Sequence, residues 1–516
     1  MPVELLSELF EQFLSGEHVA TVVVDIPGVN LSVSLGFLLA VGGSKSLARR
    51  RERVALVCER IGECPEIEQL GFCDVLARSS DFHERTFAVQ RLHFDPPSEC
   101  VLDWLAVTLV GASEPVSAIL LAEAEEQGGR PRATLIGHRW RAPTQQAALV
   151  NGAASHALDY DDVNLTMSGH PTAPVLSALL ALGESYDANG AAVIAAFVAG
   201  YETACRIGAL VAPDHYDRGF HATATVGSFG AAAACAHLLG LDAEVTAAAL
   251  GIAGTQAAGL KSMFGTMCKP LHVGKAAQNG LISASLAARG FTSQRAVLEC
   301  TQGFAATQSR DFRPEAALAN PHRGWHLRDN LFKYHASCYL THAPIECAHD
   351  IRRRHGIEPS AIRKVVVRID GSAAKVCHIE APKTGLEAKF SLRLTTALAL
   401  AGLDTARLDT YSDTNATDPK LTTLRDKVTV DFQRGWPDAR SEIHVELADG
   451  RRLEARHDGG IPLRDLGAQR RRLEAKFMSL ASPMLGNAQA ERILATVSAL
   501  ERLASIGELS RMCVPS

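Results

Sequence analysis

Residues 225–239 read TVGSFGAAAACAHLL, a run of alanine, glycine and other small residues with one histidine near its end. Gly240 follows, and Leu241-Asp242 opens a second run of the same kind, as expected where one helix stops at glycine and the next begins at an acidic cap. A helix that is apolar on all sides is buried among other helices. The stretch therefore predicts a mainly α fold with helices in close contact.

Similar segments lie on both sides of this run, and the pattern changes after Trp325. The predicted helices are Val101–Gly111, Val175–Tyr186, Ala191–Cys205, Thr225–Leu239, Ala243–Leu260 and Ala276–Arg289, followed much later by Arg470–Leu480 and Ala488–Leu503. Between the two groups, alternating apolar residues predict strands at Ile362–Ile369, Lys427–Phe432 and Ser441–Leu447, and an Asp449-Gly450 turn joins the last to Arg452–Ala455. We predict a large all-helical domain (88–329 plus 469–516) and a smaller α/β domain (330–468).

Residues 1–87 differ from the rest and predict a small α/β module. A strand at Ala20–Asp25, a helical run at Val33–Arg53 and a strand at Val54–Cys58 alternate in type. Val24–Val29, followed by Ser34 and by Leu70–Leu76, resembles a STAS (anti-sigma-factor antagonist) domain. Val33 stands where that family has the Asp before its phosphorylatable Ser. The resemblance implies a protein partner for this module.

Composition excludes several classes of function. The chain has 516 residues, a formal net charge of -5 and 47% hydrophobic residues, so we expect no nucleic-acid partner. Its 12 Cys are scattered without a C-x-x-C pair, which favours free thiols in a reducing compartment. The N-terminus has no secretory pattern, and the longer apolar segments are rich in Gly and Ala. We therefore expect a cytoplasmic protein without a membrane partner.

Ionisable residues concentrate in the stretch NGAASHALDYDD, residues 151–162, and continue to Gly169-His170-Pro171. If 153–162 is helical, His156, Asp159 and Asp162 share one face, and the two acids raise each other's pKa. Such a pair suits proton transfer at carbon. The alternative is a helix end with capping Asp residues, and His170 is then an incidental loop residue.

A second group of ionisable residues precedes the predicted helix at Ala276. Lys269, His272 and Lys275 have no acidic neighbour in sequence, so a multiply negative substrate would supply the missing charge. His221 precedes the predicted helix at Thr225, where backbone N–H groups favour an anion, although a core histidine explains it equally well. Lys275 has surface exposure as its alternative.

The last group spans Lys333 to His342 and includes Tyr334 and Cys338. Cys338 and His342 fall four residues apart on a predicted helix that runs to Arg354, the spacing of a proton-transfer pair. The spacing C-x3-H-x4-C-x-H is not a familiar zinc pattern, and no nucleotide-binding or serine-hydrolase motif stands in a fitting context. We therefore expect no metal and no nucleotide cofactor.

Taken in order, these motifs resemble the MmgE/PrpD family over about residues 95–505. The matching segments are Asn151–Asp162, Gly169–Thr172, His221–Ala232, Gly265–Gly280 and Lys333–His342. The resemblance implies a helical domain with an α/β lid, a homodimer, and catalysis without metal or organic cofactor. It also implies a pocket that uses Asp159, His170, His221, Lys269, Lys333 and Cys338. Some decarboxylating relatives place His at the position of Cys338.

The predicted activity is that of a lyase acting on a small di- or tricarboxylic acid. In this prediction Asp159, His170, His221, Lys269 and Cys338 are catalytic, and substrate is bound by His156, Asp162, His272, Lys275, Lys333 and Tyr334. The breadth of the family favours a 2-methylcitrate dehydratase, with cis-aconitate decarboxylase and iminodisuccinate epimerase activities as alternatives. A hypothesis of another class is a catalytically silent scaffold that binds a partner through residues 1–87.

Overall fold

The structure is a computed structural model that describes residues 21–26, 29–34, 96–321, 323–377, 379–437 and 439–515. Within the N-terminal unit, strands β1 (Thr21–Ile26) and β2 (Val29–Ser34) form an antiparallel pair in which Thr21 lies opposite Ser34. The predicted strand at Ala20–Asp25 is confirmed for its described residues. The predicted helix at Val33 is wrong at its start, because Val33 and Ser34 belong to β2. The other predicted elements of the STAS-like module lie outside the described residues.

The larger unit is mainly α, as predicted, and its first half is helical apart from a short strand pair, β3 (Ala133–Thr134) and β4 (Arg141–Ala142). Its helices are α1 (Pro96–Gly111), α2 (Pro115–Gln127), α3 (Thr144–His156), α4 (Thr172–Ser185), α5 (Gly190–Val211), α6 (Asp214–Asp217), α7 (Ala222–Leu238), α8 (Ala243–Gly254), α9 (Cys268–Ala287), α10 (Phe304–Gln308) and α11 (Pro314–Leu318). Helix α7 is the small-residue run 225–239 with one more turn at its start, and it packs against α4, α5 and α9.

Small residues explain how two of these helices come close enough to build a site. Helices α3 and α9 cross where Gly152 meets Gly274, and a Cβ on Gly152 would lie 2.8 Å from the Gly274 Cα. A side chain at either position would force the helices apart. The crossing brings the C-terminal end of α3 next to the N-terminal turns of α9.

The bounds of α9 correct the prediction that this helix starts at Ala276. It starts at Cys268, so Lys269 and His272 lie one turn apart in its first turns. Pro270 is tolerated there because the first backbone N–H groups of a helix have no partner within it. Helix α8 ends at Gly254, six residues before the predicted end at Leu260.

Among the described residues, α5 is long and apolar enough to span a membrane by length and composition alone. However, 72% of its most apolar 18-residue window is buried inside the protein. Phe197 and Tyr201 of α5 pack in the main core beside Trp104 and Phe229. Helix α5 is therefore a core helix of this fold.

The second half of this unit contains a four-stranded sheet in the order β6-β5-β7-β8. Strands β5 (Ile362–Asp370) and β6 (Val428–Gln433) are parallel, whereas β7 (Arg440–Leu447) pairs antiparallel with both β5 and β8 (Arg452–Asp458). The helices here are α12 (His342–His355), α13 (Gly385–Ala388), α14 (Leu392–Ala401), α15 (Asp413–Thr417), α16 (Pro419–Asp426), α17 (Leu466–Leu485), α18 (Asn487–Ser498) and α19 (Ile506–Met512). The predicted strands and the hairpin at Gly450 are confirmed.

Loops at one end of the helical part are tied together by isolated β-bridges. Val163 pairs with Leu331, Asn164 pairs with Gly169, and Phe220 pairs with Leu260. The first two bridges act on the loop of residues 159–170, which they close and join to residue 331, and the third joins the loops at 219–221 and 259–267. The predicted division of residues 88–516 between two domains stays a prediction, because one apolar core includes side chains from both predicted parts.

Candidate active site

The C-terminal end of α3 determines where its acidic residues point. Helix α3 ends at His156, and Asp159 has a φ of 52°, in the left-handed region. A non-glycine residue rarely adopts this conformation, although Asp does so more readily than most. The prediction of a helix over 153–162 is therefore wrong beyond His156, and so is the prediction that Asp159 and Asp162 share a helical face.

Asp159 lies between two lysine ammonium groups. Lys269 Nζ donates to Asp159 Oδ1 at 2.8 Å, and Lys333 Nζ lies 3.2 Å from the same oxygen while donating to the Asp159 carbonyl at 2.6 Å. Burial opposes ionisation of Asp159, but Lys269 and Lys333 together hold the pKa of this carboxyl well below its usual value. Asp159 is therefore ionised at neutral pH, and one carboxylate aligns two cations.

Asp161 lies beside two imidazoles. The sequence analysis did not predict it as a site residue. His156 Nδ1 lies 2.9 Å from both Asp161 carboxylate oxygens, and His170 Nδ1 lies 3.2 Å from Asp161 Oδ2. Burial opposes ionisation of Asp161, yet the two imidazoles hold its pKa well below the usual value. Since an ionised carboxylate only accepts hydrogen bonds, His156 carries its proton on Nδ1.

This arrangement leaves the second ring nitrogens of both histidines facing the cluster. The buried His156 Nε2 has no hydrogen-bond partner among the described residues, and His170 Nε2 lies 3.8 Å from Asp159 Oδ1. Burial lowers the pKa of His156 to about 4, against the opposing effect of Asp161, so this ring is neutral near pH 7. The two rings meet edge to face with centroids 4.6 Å apart.

His221 and His272 form a second imidazole pair beside the first. Their Nδ1 atoms lie 3.2 Å apart, so one ring donates a hydrogen bond to the other. Burial lowers the pKa of both rings, and the charge of Lys269 lowers that of His221 further. His221 also stands edge to face with Phe264, at 5.0 Å between centroids.

Cys338 lies near the lysine pair but not on a helix. Helix α12 begins at His342, so the predicted pairing of Cys338 and His342 on one helix face is wrong. Cys338 instead packs with Cys377 and Leu392 in a small apolar cluster. The hydrogen bond from the Cys377 thiol lowers the pKa of Cys338, and Asp159 and Lys333 are close enough to influence it.

Lys389 is a second site residue that the sequence analysis missed. Its backbone carbonyl accepts a hydrogen bond from the Cys338 N–H at 3.0 Å. Burial lowers its pKa, and the charges of Glu114 and then Asp159 oppose that shift. Lys389 is therefore close enough to Asp159 for the two charges to influence each other. No sequence signal pointed to it, because it lies in a helical stretch that carries none of the other motifs.

The structure places three of the predicted substrate-binding residues outside this cluster. Asp162 points into the core, where its Oδ2 accepts hydrogen bonds from the Thr172 hydroxyl and from Asn330 Nδ2. Lys275 is exposed on α9 and donates to Gln278. Tyr334 stacks beneath the Arg472 guanidinium, 3.7 Å away, in a separate cavity. The assumed helix over 153–162 misplaced Asp162, and the alternative of surface exposure is the one that holds for Lys275.

Four side chains of the cluster also present ligand atoms suited to a metal ion. One such atom from each of His156, Asp159, Asp161 and His170 lies within 4.8 Å of the others. However, two ammonium groups already lie within 3.2 Å of Asp159 Oδ1. A divalent cation there would meet strong repulsion unless both lysines moved away.

Two family models match the chain over most of its length. The MmgE/PrpD N-terminal domain matches residues 91–317, and the MmgE/PrpD C-terminal domain matches residues 335–502. The chain belongs to the MmgE/PrpD family. Every side chain of the cluster lies within these matches except that of Lys333, which lies between them.

Curated relatives of this MmgE/PrpD protein are cis-aconitate decarboxylases. The enzyme from Aspergillus terreus (strain NIH 2624 / FGSC A1156) is 28% identical over 440 residues, which cover 79% of this chain and 89% of the relative. The Homo sapiens enzyme is 28% identical over 434 residues, covering 80% and 88%. The Mus musculus enzyme is 28% identical over 433 residues, covering 80% and 87%. Decarboxylases of this kind are lyases.

Proposed function

We propose that this MmgE/PrpD protein is a cofactor-independent lyase that transfers a proton at a carbon next to a carboxylate of a tricarboxylic acid. One observation carries the proposal: Asp159, Asp161, two aligned lysines and four imidazoles converge from four separate segments of the chain. Ionisable groups buried together at such cost are typical of catalytic sites. The proposed site is made of the residues named above, with Lys269, His170 and His272 still partly accessible to solvent.

Substrate binding is assigned mainly to Lys269. Its ammonium group uses one hydrogen bond on Asp159 and has three N–H donors, so two are available for a substrate carboxylate. Lys333 is almost fully buried, and its ammonium contacts both the carboxylate and the carbonyl of Asp159. Its role is therefore to orient the Asp159 carboxylate. Lys389 supplies further positive charge for a second substrate carboxylate.

Proton transfer is assigned to His170. Its Nδ1 faces Asp161 and its Nε2 faces the space beside Asp159, the arrangement in which a carboxylate steadies an imidazole that gains and loses a proton. Asp159 stays ionised and positions the lysines. The lysines stabilise the negative charge that develops on the substrate when a C–H or C–C bond breaks.

Decarboxylation is the reaction that the relatives favour. The C–C bond to one carboxylate breaks, CO2 leaves, and the carbon that keeps the electron pair takes one proton from His170. Dehydration is the second candidate, because Cys338 stands where some decarboxylating relatives place His. In that reaction a proton leaves carbon and hydroxide departs from the neighbouring carbon, so that one molecule of water is released.

The test is a product screen with purified protein. cis-Aconitate, citrate and 2-methylcitrate are each incubated with enzyme, and products are followed by NMR. A decarboxylase releases CO2 and a dicarboxylate from cis-aconitate, whereas a dehydratase forms an alkene from 2-methylcitrate. No turnover of any acid would favour the scaffold hypothesis. A cytoplasmic location and a homodimer belong to the same proposal, and size measurement in solution tests the latter.

A further inference from the structure

Lys476 lies outside the proposed catalytic cluster but contacts the backbone of two segments that form it. Its ammonium donates to the Tyr160 carbonyl at 2.8 Å and to the Lys333 carbonyl at 3.0 Å. Its third contact is Asp103 Oδ1 at 2.6 Å. An ammonium group has three donors, so these three acceptors satisfy it completely.

We propose that Lys476, held by Asp103, is a positioning residue that fixes Asp159 and Lys333 in their working geometry. This inference rests on the proposed function for its kinetic test only. Lys476 touches neither side chain. It joins the carbonyl of Tyr160, the residue after Asp159, to the carbonyl of Lys333, and these two segments are far apart in sequence.

The conformation of Asp159 explains why such a clamp is needed. Its φ of 52° lies in the left-handed region, which is sparsely populated and therefore costs free energy. Such a conformation persists only where the surroundings hold it. Tyr160 is the next residue in the chain. The Lys476 ammonium holds Tyr160 in place by its hydrogen bond to the carbonyl and by its position 3.8 Å from the centre of the ring.

Stability alone is a poor explanation for the Lys476–Asp103 pair. Both side chains are almost fully buried, and burial raises the pKa of Asp103 and lowers that of Lys476 although each faces the other. A buried ion pair often contributes less to stability than apolar side chains of the same size. The free-energy cost of burying this ion pair is consistent with a role in positioning the site. An apolar pair would leave the Tyr160 and Lys333 carbonyls without a hydrogen-bond donor.

The test uses the full chain and four variants. Lys476→Met removes all three donors and leaves the buried Asp103 carboxylate unpaired. Asp103→Asn removes the negative charge but keeps an acceptor for Lys476. Asp103→Asn/Lys476→Met removes both charges, so that no unpaired charge stays buried. Lys427→Met is the control, since Lys427 Nζ donates to the Ile362 carbonyl at 2.6 Å within the sheet region. Each protein is assayed for kcat, KM and thermal stability.

We expect Lys476→Met to lower kcat by about 100-fold, the loss that a misplacement of about 1 Å produces. KM should stay within about threefold, because substrate contacts remain. The double variant should regain thermal stability but not kcat, and Asp103→Asn should keep most of its activity. Recovery of kcat in the double variant, or equal loss in Asp103→Asn, would overturn the inference.

A crystal structure of the double variant separates this inference from the proposed function. We expect Asp159 to leave the left-handed region and Lys333 to lose its contact with the Asp159 carbonyl. An unchanged Asp159 conformation would overturn the positioning role whatever the substrate. An inactive wild-type protein would instead count against the proposed function, and the structural result would still decide the role of Lys476.

Discussion

Single residues in this protein owe their charge state to their neighbours. Asp159 and Asp162 are three residues apart, yet their pKa values move in opposite directions. Asp159 faces two lysines, whereas Asp162 faces Thr172, Asn330 and the core. Burial raises the pKa of both carboxyls and is the largest single influence on each. Only Asp159 has lysine neighbours, and their charges lower its pKa.

Removing Lys269 tests its role in binding. We expect Lys269→Ala to raise KM for a tricarboxylate and to cost about 2–4 kcal/mol of transition-state stabilisation, since a buried charged hydrogen bond is lost. Steady-state kinetics measure the effect. The exposed Lys275→Ala is the matched control on the same helix, and we expect it to leave the kinetics unchanged. Equal kinetics in both variants would remove Lys269 from the site.

Asp162 gives a prediction on pH. Burial raises its pKa from 3.8 to about 8 in the folded protein. Because the folded state holds this proton more tightly, the stabilisation is fully present below about pH 4 and is lost as the pH rises toward 8. We therefore expect the free energy of unfolding of wild type, relative to Asp162→Asn, to fall by about 1.4 kcal/mol per pH unit across that window.

Chemical denaturation at several pH values measures this difference. A constant difference between wild type and Asp162→Asn would mean that Asp162 is ionised in the fold, which would contradict its burial without a cation.

At the scale of elements, the crossing of α3 and α9 places the two main groups of polar residues side by side. The sequence predicted α9, with its start at Ala276 rather than Cys268, and both groups of polar residues, and the family resemblance predicted that these groups converge. Of α3, the sequence analysis considered only a helix over 153–162. The sequence did not reveal where α3 ends, because nothing in residues 157–162 (ALDYDD) requires Asp159 to adopt a left-handed backbone conformation. In that conformation Asp159 contacts lysines from α9 and from the segment after α11, and a lysine of α17 binds the next residue's carbonyl. Asp161 was missed for the same reason, since only the turn brings it back to His156.

The glycine contact between the two helices can be tested directly. Gly152→Ala places a methyl group 2.8 Å from the Gly274 Cα, so the helices must separate or bend. We expect a loss of about 1–3 kcal/mol in the free energy of unfolding, together with a lower kcat as Lys269 shifts from Asp159. Gly467→Ala, near the exposed start of α17, is the control. Wild-type stability and activity in Gly152→Ala would contradict the close crossing.

At the scale of the whole molecule, the family match contains every proposed site residue except Lys333, which lies between its two matched parts. It begins at residue 91, after the predicted N-terminal module. We therefore expect a protein that starts at residue 88 to fold and to keep the kcat and KM of the full chain. Circular dichroism and the product assay check this. Folded but inactive protein would show that the N-terminal module contributes to catalysis.

The central claim is that these distant residues form one binding site for a tricarboxylate. A crystal structure with propane-1,2,3-tricarboxylate, a saturated acid that has no hydroxyl group to lose as water, tests it most directly. We predict one carboxylate within hydrogen-bond distance of Lys269 Nζ and a substrate carbon beside His170 Nε2. Electron density for the acid elsewhere on the protein, with the cluster filled only by water at saturating concentration, would contradict the account.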